Sequence, residues 1–134
     1  MADTQAYTLE RAGYLNQLSS VAQAVDVPAA TAQTVLITHT VPANDTVLMT
    51  ATVIATKADG SAGMAYVMLA AFDIKAGVAN QIGFTANSLA VADANGPPTA
   101  DFHINGTAVE LRIQNPGTDE LTVSASLLVQ NALG

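Results

Sequence analysis

The stretch Ala100-Asp-Phe-His-Ile-Asn105-Gly106-Thr-Ala-Val-Glu-Leu-Arg-Ile-Gln114 decides the fold. Asn105-Gly106 at its centre is the dipeptide best suited to a two-residue type I′ turn, which needs positive φ at both positions. On either side apolar and polar residues alternate, and a strand sends such neighbours to opposite faces. Closing the turn on Asn105-Gly106 sets Phe102 opposite Val109 and Ile104 opposite Thr107, with Asp101 facing Glu110 and His103 facing Ala108. The two faces separate cleanly, so the hairpin belongs to an antiparallel sheet with a core on one side.

The same texture extends in both directions. Downstream, Asn115-Pro-Gly-Thr-Asp119 makes a turn, and Leu121 to Gln130 places Leu121, Val123, Ala125, Leu127 and Val129 on one face. Upstream, Asp93-Ala-Asn-Gly-Pro-Pro98 reads as a surface loop, because Pro97 and Pro98 cannot donate to a ladder. Asn95, Gly96, Pro97 and Pro98 are its candidate exposed residues. Before it, Gln81 to Thr85 and Ser88 to Ala92 read as two short strands. Met64 to Lys75 is a longer strand, apolar almost throughout, which predicts that both its faces are covered. Thr46 to Lys57 puts Val47, Met49, Ala51, Val53 and Ala55 on one face and Leu48, Thr50, Thr52, Ile54 and Thr56 on the other. Gln33 to Thr40 is the first strand of the series. Strands at turn-to-turn intervals of about ten residues predict an all-β fold, an antiparallel β-sandwich or jelly roll of seven or eight strands spanning 33–134.

Residues 1–32 have a different texture, rich in Ala, Gln and Ser and without clear alternation. Leu15, Leu18, Ala22 and Val25 recur at three-four spacing, the stripe of a helix over Leu9 to Ala24, though the same residues can lie extended on a neighbouring subunit. This segment is expected to be an N-terminal assembly arm, extended or partly helical, that contacts a partner through Leu15, Leu18, Val21 and Val25. Each contributes roughly 1.5–3 kcal/mol when fully buried.

Composition narrows the function. The chain has 134 residues, half of them hydrophobic, yet only 11% are charged, against about a quarter in an ordinary soluble domain. Its surface must therefore be largely neutral, which suits assembly. A net charge of −7 with four Lys and Arg leaves too few cations to neutralise a run of phosphates, which speaks against nucleic-acid binding. With no cysteine there is no disulfide framework, thiolate zinc site or cysteine nucleophile. The longest apolar run, Met64 to Phe72, is too short for a membrane-spanning helix, and the opening residues do not form a signal peptide.

Catalytic signals are sparse. His39 and His103 are the only histidines, and neither sits in a metalloprotease or nucleophile-elbow motif. Asp101, His103 and Glu110 share one face of the hairpin and have the chemistry to hold a divalent metal. The solvated face of a half-buried hairpin is the favoured reading of the same residues. Asp73 and Lys75 read as a strand-end ion pair. The glycines form no phosphate-binding loop, and three Tyr without Trp make a poor platform for sugars. No cofactor is expected.

Residues 62 to 130 resemble β-sandwich structural domains of tailed-bacteriophage virions, found among capsid decoration (cement) proteins and tail-fibre domains. The resemblance is carried by Ala65-Tyr66-Val67-Met68-Leu69-Ala70-Ala71-Phe72, Gln81-Ile82-Gly83, Ala100-Asp101-Phe102-His103-Ile104-Asn105-Gly106 and Val109-Glu110-Leu111-Arg112-Ile113-Gln114-Asn115-Pro116-Gly117. It covers about half the chain and departs from many fibre domains in having no Trp in the last strand. It implies a non-enzymatic virion protein that assembles as a homo-oligomer, often a trimer, and contacts the major capsid protein or other virion proteins. A short reading from its own Met to Gly134 favours a decoration protein on the outer capsid surface. The alternative is a tail-fibre or receptor-binding tip protein that attaches to the host through Ala94 to Thr99.

Overall fold

A computed structural model of the chain describes residues 17–60, 63–92 and 98–133. In chain order the strands are β1 (Gln17–Val27), β2 (Thr34–Thr40), β3 (Thr46–Lys57), β4 (Gly63–Lys75), β5 (Val78–Ala92), β6 (Thr99–Asn105), β7 (Ala108–Gln114) and β8 (Leu121–Asn131). They form two antiparallel sheets, one ordered β1-β8-β3-β4-β5 and one ordered β2-β7-β6. The all-β sandwich expected from the alternation is therefore observed, with eight strands.

The core is the set of alternate positions that the sequence marked. Val47, Met49, Ala51, Val53 and Ala55 of β3 and Leu121, Val123, Ala125, Leu127 and Val129 of β8 are buried. Val109, Leu111 and Ile113 of β7 meet them from the smaller sheet. Phe72 of β4, fully buried, packs edge-on against Phe102 of β6 with ring centroids 5.8 Å apart, so one aromatic pair joins the two layers.

Three local expectations are corrected. First, the β6–β7 hairpin closes around Gly106-Thr107 instead of Asn105-Gly106. Asn105 pairs with Ala108, Ile104 with Val109, His103 with Glu110, Phe102 with Leu111 and Asp101 with Arg112. Gly106 alone has positive φ there (64°), the pattern of a type II′ turn, which requires Gly at the first central position. Tertiary bonds hold that turn: the Ala79 and Val41 N–H groups donate to the carbonyls of Gly106 and Thr107. The shift moves partners by two residues, so the apolar and polar faces stay as expected. The type I′ pattern falls elsewhere, at Ala76-Gly77 between β4 and β5, where both φ values are positive (53° and 81°).

Second, the two short strands expected at 81–85 and 88–92 are one strand, β5. Ala86 pairs with Leu69 and Asn87 with Met68, so the ladder runs through the expected gap. The ladder is irregular at two places: Ser88 is an extra residue between Asn87 and Leu89, which pair with Met68 and Val67, and Gly83 to Thr85 oppose Ala70 alone, with Gly83 at φ 74°. The bulge at Gly83 to Thr85 throws Phe84 out to 95% exposure.

Third, the part of the expected helix that the structure describes is strand. β1 pairs with β8 of its own chain, from Gln17 opposite Gln130 to Val27 opposite Leu121, with a bulge between Ala22 and Val25. Ala24 has φ 51° in that bulge, and its N–H donates to Ser124 Oγ at 3.0 Å.

Two buried polar residues tie the ends of the sandwich. The Asn115 side-chain amide donates to the carbonyls of Val27, Pro28 and Asp119, and its Oδ1 accepts from Gly117 N–H. One side chain thereby fastens the β1–β2 connection to the β7–β8 turn. At the opposite end Asp45 accepts from Thr46 N–H, Asn131 Nδ2 and Leu133 N–H. The Asn131 bond above all, with the backbone donors, holds the Asp45 carboxyl below its usual range.

Candidate functional site

A two-layer sandwich has two outer faces, and function has to be sought on them because the interior is filled with side chains. On the three-stranded sheet, Asp101, His103 and Asn105 of β6 point outward beside Glu110 and Arg112 of β7 and Thr38 of β2. The new register places Asp101 against Arg112, whose Nε and Nη2 donate to the two carboxylate oxygens at 3.0 and 2.7 Å. That fork, formed against a largely buried guanidinium, raises the Arg112 pKa above its usual value. Glu110 lies opposite His103 and accepts from Asn105 Nδ2 at 3.2 Å.

The metal reading of Asp101, His103 and Glu110 loses its first ligand by this arrangement. Both oxygens of Asp101 are committed to Arg112, and among the described residues no group of three or more His, Asp or Glu is placed to hold a metal. The other titratable candidates resolve similarly. Asp73 accepts from Asn80 Nδ2 at 3.0 Å and lies 3.7 Å from Lys75 Nζ, the ion pair expected of them. His39 turns inward from β2; burial lowers its pKa, and its Nε2 has no hydrogen-bond partner.

The five-stranded sheet presents an outer face of opposite character. Its cross-strand rows read Gln130, Leu48, Ala71 and Ile82; then Ser19, Leu128, Thr50, Leu69 and Ala86; then Val21, Ser126, Thr52 and Val67; then Ser124, Ile54 and Ala65. None of these residues is charged. Charges return only at the margins, with Asp26 at one end and Asp73 and Lys75 at the other. Val21, Leu48, Ile54 and Ile82 are exposed by 39–68%. Val21, Thr52, Ile54, Ser124 and Ser126 line a shallow open hollow across β1, β8 and β3. The expectation that β4 is covered on both faces is thus corrected: its inner face is buried, whereas Ala65, Val67, Leu69 and Ala71 on its outer face are half-buried and belong to this surface.

The remaining sequence candidates are dispersed. Leu15 lies outside the described residues. Leu18 is half exposed near the end of β1, Val21 is on the outer face, and Val25 packs against the core. These three do not share a face, as a helical stripe would require. Asn95, Gly96 and Pro97 also lie outside the described residues. Pro98, expected in an exposed loop, is buried, and its carbonyl accepts from Tyr66 Oη at 3.3 Å. The charge-free outer face was not singled out from the sequence, although the apolar second faces of β3 and β4 were the signal for it.

No protein-family profile matches the sequence, and no curated protein matches it. Among solved structures, the chain is similar to the tailspike protein of Acinetobacter baumannii phage AM24, with 9% identity over 89% of this chain and 27% of that one, at a TM-score of 0.49. It is also similar to the tailspike of Acinetobacter baumannii bacteriophage Fri1, a capsular polysaccharide depolymerase, with 10% identity over 85% of this chain and 19% of that one (TM-score 0.46). A third, the tailspike of Acinetobacter phage vB_ApiP_P1, shares 15% identity over 87% of this chain and 22% of that one (TM-score 0.34). The chain thus spans about a quarter or less of the length of these tailspikes.

Proposed function

We propose that this chain is a non-enzymatic structural protein of a tailed-bacteriophage virion, placed in the tail and acting by assembly with itself and with other virion proteins. The observation that carries the structural role is the uncharged outer face of the five-stranded sheet on a chain of net charge −7. The virion setting rests on the sequence resemblance of residues 62 to 130. Tail placement is our choice between the two sites that resemblance allows, in the company of the tailspike chains above. Nothing in the fold or the comparisons speaks for the capsid-cement reading, and contact with a major capsid protein is set aside with it.

Host attachment through Ala94 to Thr99 is part of the same proposal only for a tip protein. Of the two described residues of that segment, Pro98 is buried and Thr99, the first residue of β6, is exposed. The test is gold labelling of intact particles, using antibody raised against the purified chain and the phage whose genome encodes it. Gold confined to the tail is the expected result. Gold spread over the head, or labelling of neither head nor tail, overturns the placement.

A further inference from the structure

We infer that the outer face of the five-stranded sheet is the surface through which two copies of this chain associate. Three features select a second copy as the occupant. The first is charge. Copies that each carry −7 repel wherever their carboxylates meet, and the central rows of this face contain no charge of either sign. The other outer face carries Asp101, His103, Glu110 and Arg112, so a contact between copies there would have to pair or desolvate charges. A two-fold contact sets residue i of one copy against j of the other and j against i, and on the neutral face every such pairing is uncharged.

The second feature is size. Five strands spaced about 4.8 Å apart and six residues of β3 rising about 3.3 Å each give a face of about 24 by 20 Å. Two such faces, each of about 480 Å², together bury about 1,000 Å², the low end of specific interfaces and the size of a weak, concentration-dependent association. The third is chemistry. Exposed Val21, Leu48, Ile54 and Ile82 surround a centre of Thr50 and Thr52, and this mixture of branched apolar and hydroxyl side chains is the composition that packs sheet on sheet about 10 Å apart. A patch of a few hundred Å², the largest size usual on a monomer, is often a functional one.

The inference deepens the proposed function by naming the face, and the two fail separately: a gold-labelled tail protein that is monomeric in solution refutes association through this face and leaves the tail placement standing. The test is a matched pair of substitutions in the full chain, Thr52→Glu on the neutral face and Thr40→Glu on the exposed β2 position of the other, with mass followed by light scattering from about 1 μM upward. The wild type is expected to be a dimer or larger. Thr52→Glu places like charges across the interface and is expected to weaken association about 100-fold or more, while Thr40→Glu leaves it within about twofold. A wild type that is monomeric throughout overturns the inference, as does an oligomer that survives Thr52→Glu. If Thr52→Glu does not fold by circular dichroism, hydroxyl-radical footprinting of the wild type decides instead. Labelling at Leu48, Ile54 and Ile82 should rise several-fold on dilution, and labelling independent of concentration overturns the inference.

Discussion

The two outer faces of the sandwich are built from strands of the same chain, on the same pleat, yet one is charged and cross-braced and the other is neutral and open. On the three-stranded sheet the outward positions carry Asp101, His103, Glu110 and Arg112, and the carboxylates find partners within the face. On the five-stranded sheet the corresponding positions carry Thr, Ser, Ala and branched aliphatics. Charge on an exposed strand face keeps other strands and sheets away. Its absence over four cross-strand rows therefore distinguishes a face meant for contact from one meant for solvent. The inner faces show no such contrast, since both are apolar and interlocked.

The comparison can be broken most severely through the shared interior. Phe72→Ala removes the largest buried side chain and its edge contact with Phe102, and is expected to cost about 3–5 kcal/mol in urea unfolding. Both sheets should melt together. Loss of the charged sheet while the neutral one persists would show two independent layers instead of one core. Next in size is Asn115→Ala, which leaves three backbone carbonyls without their donor and should cost about 2–3 kcal/mol in the same experiment. A cost below about 1 kcal/mol would mean that water replaces the amide and that the two connections are not fastened by it.

A sharper contrast comes from the surface. Asp101→Asn breaks the fork with Arg112, but Asp101 is half exposed, so solvent screening limits the expected loss to about 0.5–1 kcal/mol, shrinking further in about 1 M salt. Thr50→Ser on the neutral face should change monomer stability by less than about 0.5 kcal/mol, with no salt dependence. Equal salt dependence at both positions would dissolve the distinction between the faces.

The smallest effect is expected from pH. His39 is held neutral by burial, its pKa below the ordinary 6.5, so the unfolded chain takes up a proton that the folded chain resists. Stability is therefore complete above pH 6.5 and declines as pH falls below it. Asp45, whose pKa lies below the ordinary 3.8, adds a second loss of the same sign as pH falls below about 4. Thermal melts from pH 7 to pH 3 should show both steps, and His39→Gln should remove the first alone. A first step that survives in His39→Gln would assign it to other groups.

Much of the fold was legible in the sequence because β3, β7 and β8 put an apolar residue at every second position, and that period has one structural meaning. β1 was not, for a geometric reason. Its inward residues include Leu18, Ala22, Val25 and Val27, and the bulge between Ala22 and Val25 inserts an extra step. A strand so interrupted shows spacings of four and three, which are those of a helix. β5 was split because Thr85 to Ser88 looks like a turn, whereas the chain absorbs its irregularities as bulges, at Gly83 to Thr85 and at Ser88, without leaving the ladder. The hairpin register moved because the bonds from Ala79 and Val41 that hold it come from distant strands. The candidate face was hidden for a different reason: an apolar strand face reads the same whether a second layer of the same chain covers it or nothing does.

The pairing of Gln17 with Gln130 also bears on how the chain is made. At roughly 5–20 residues per second, β1 leaves the ribosome several seconds to some twenty seconds before the strand it pairs with. During that wait it is a nearly uncharged extended segment with both edges unsatisfied, the kind of segment that joins a neighbouring nascent chain as readily as its own. A bulge at Ala22 to Val25 followed by Asp26 shortens the stretch of regular ladder on offer, and so guards β1 until β8 arrives.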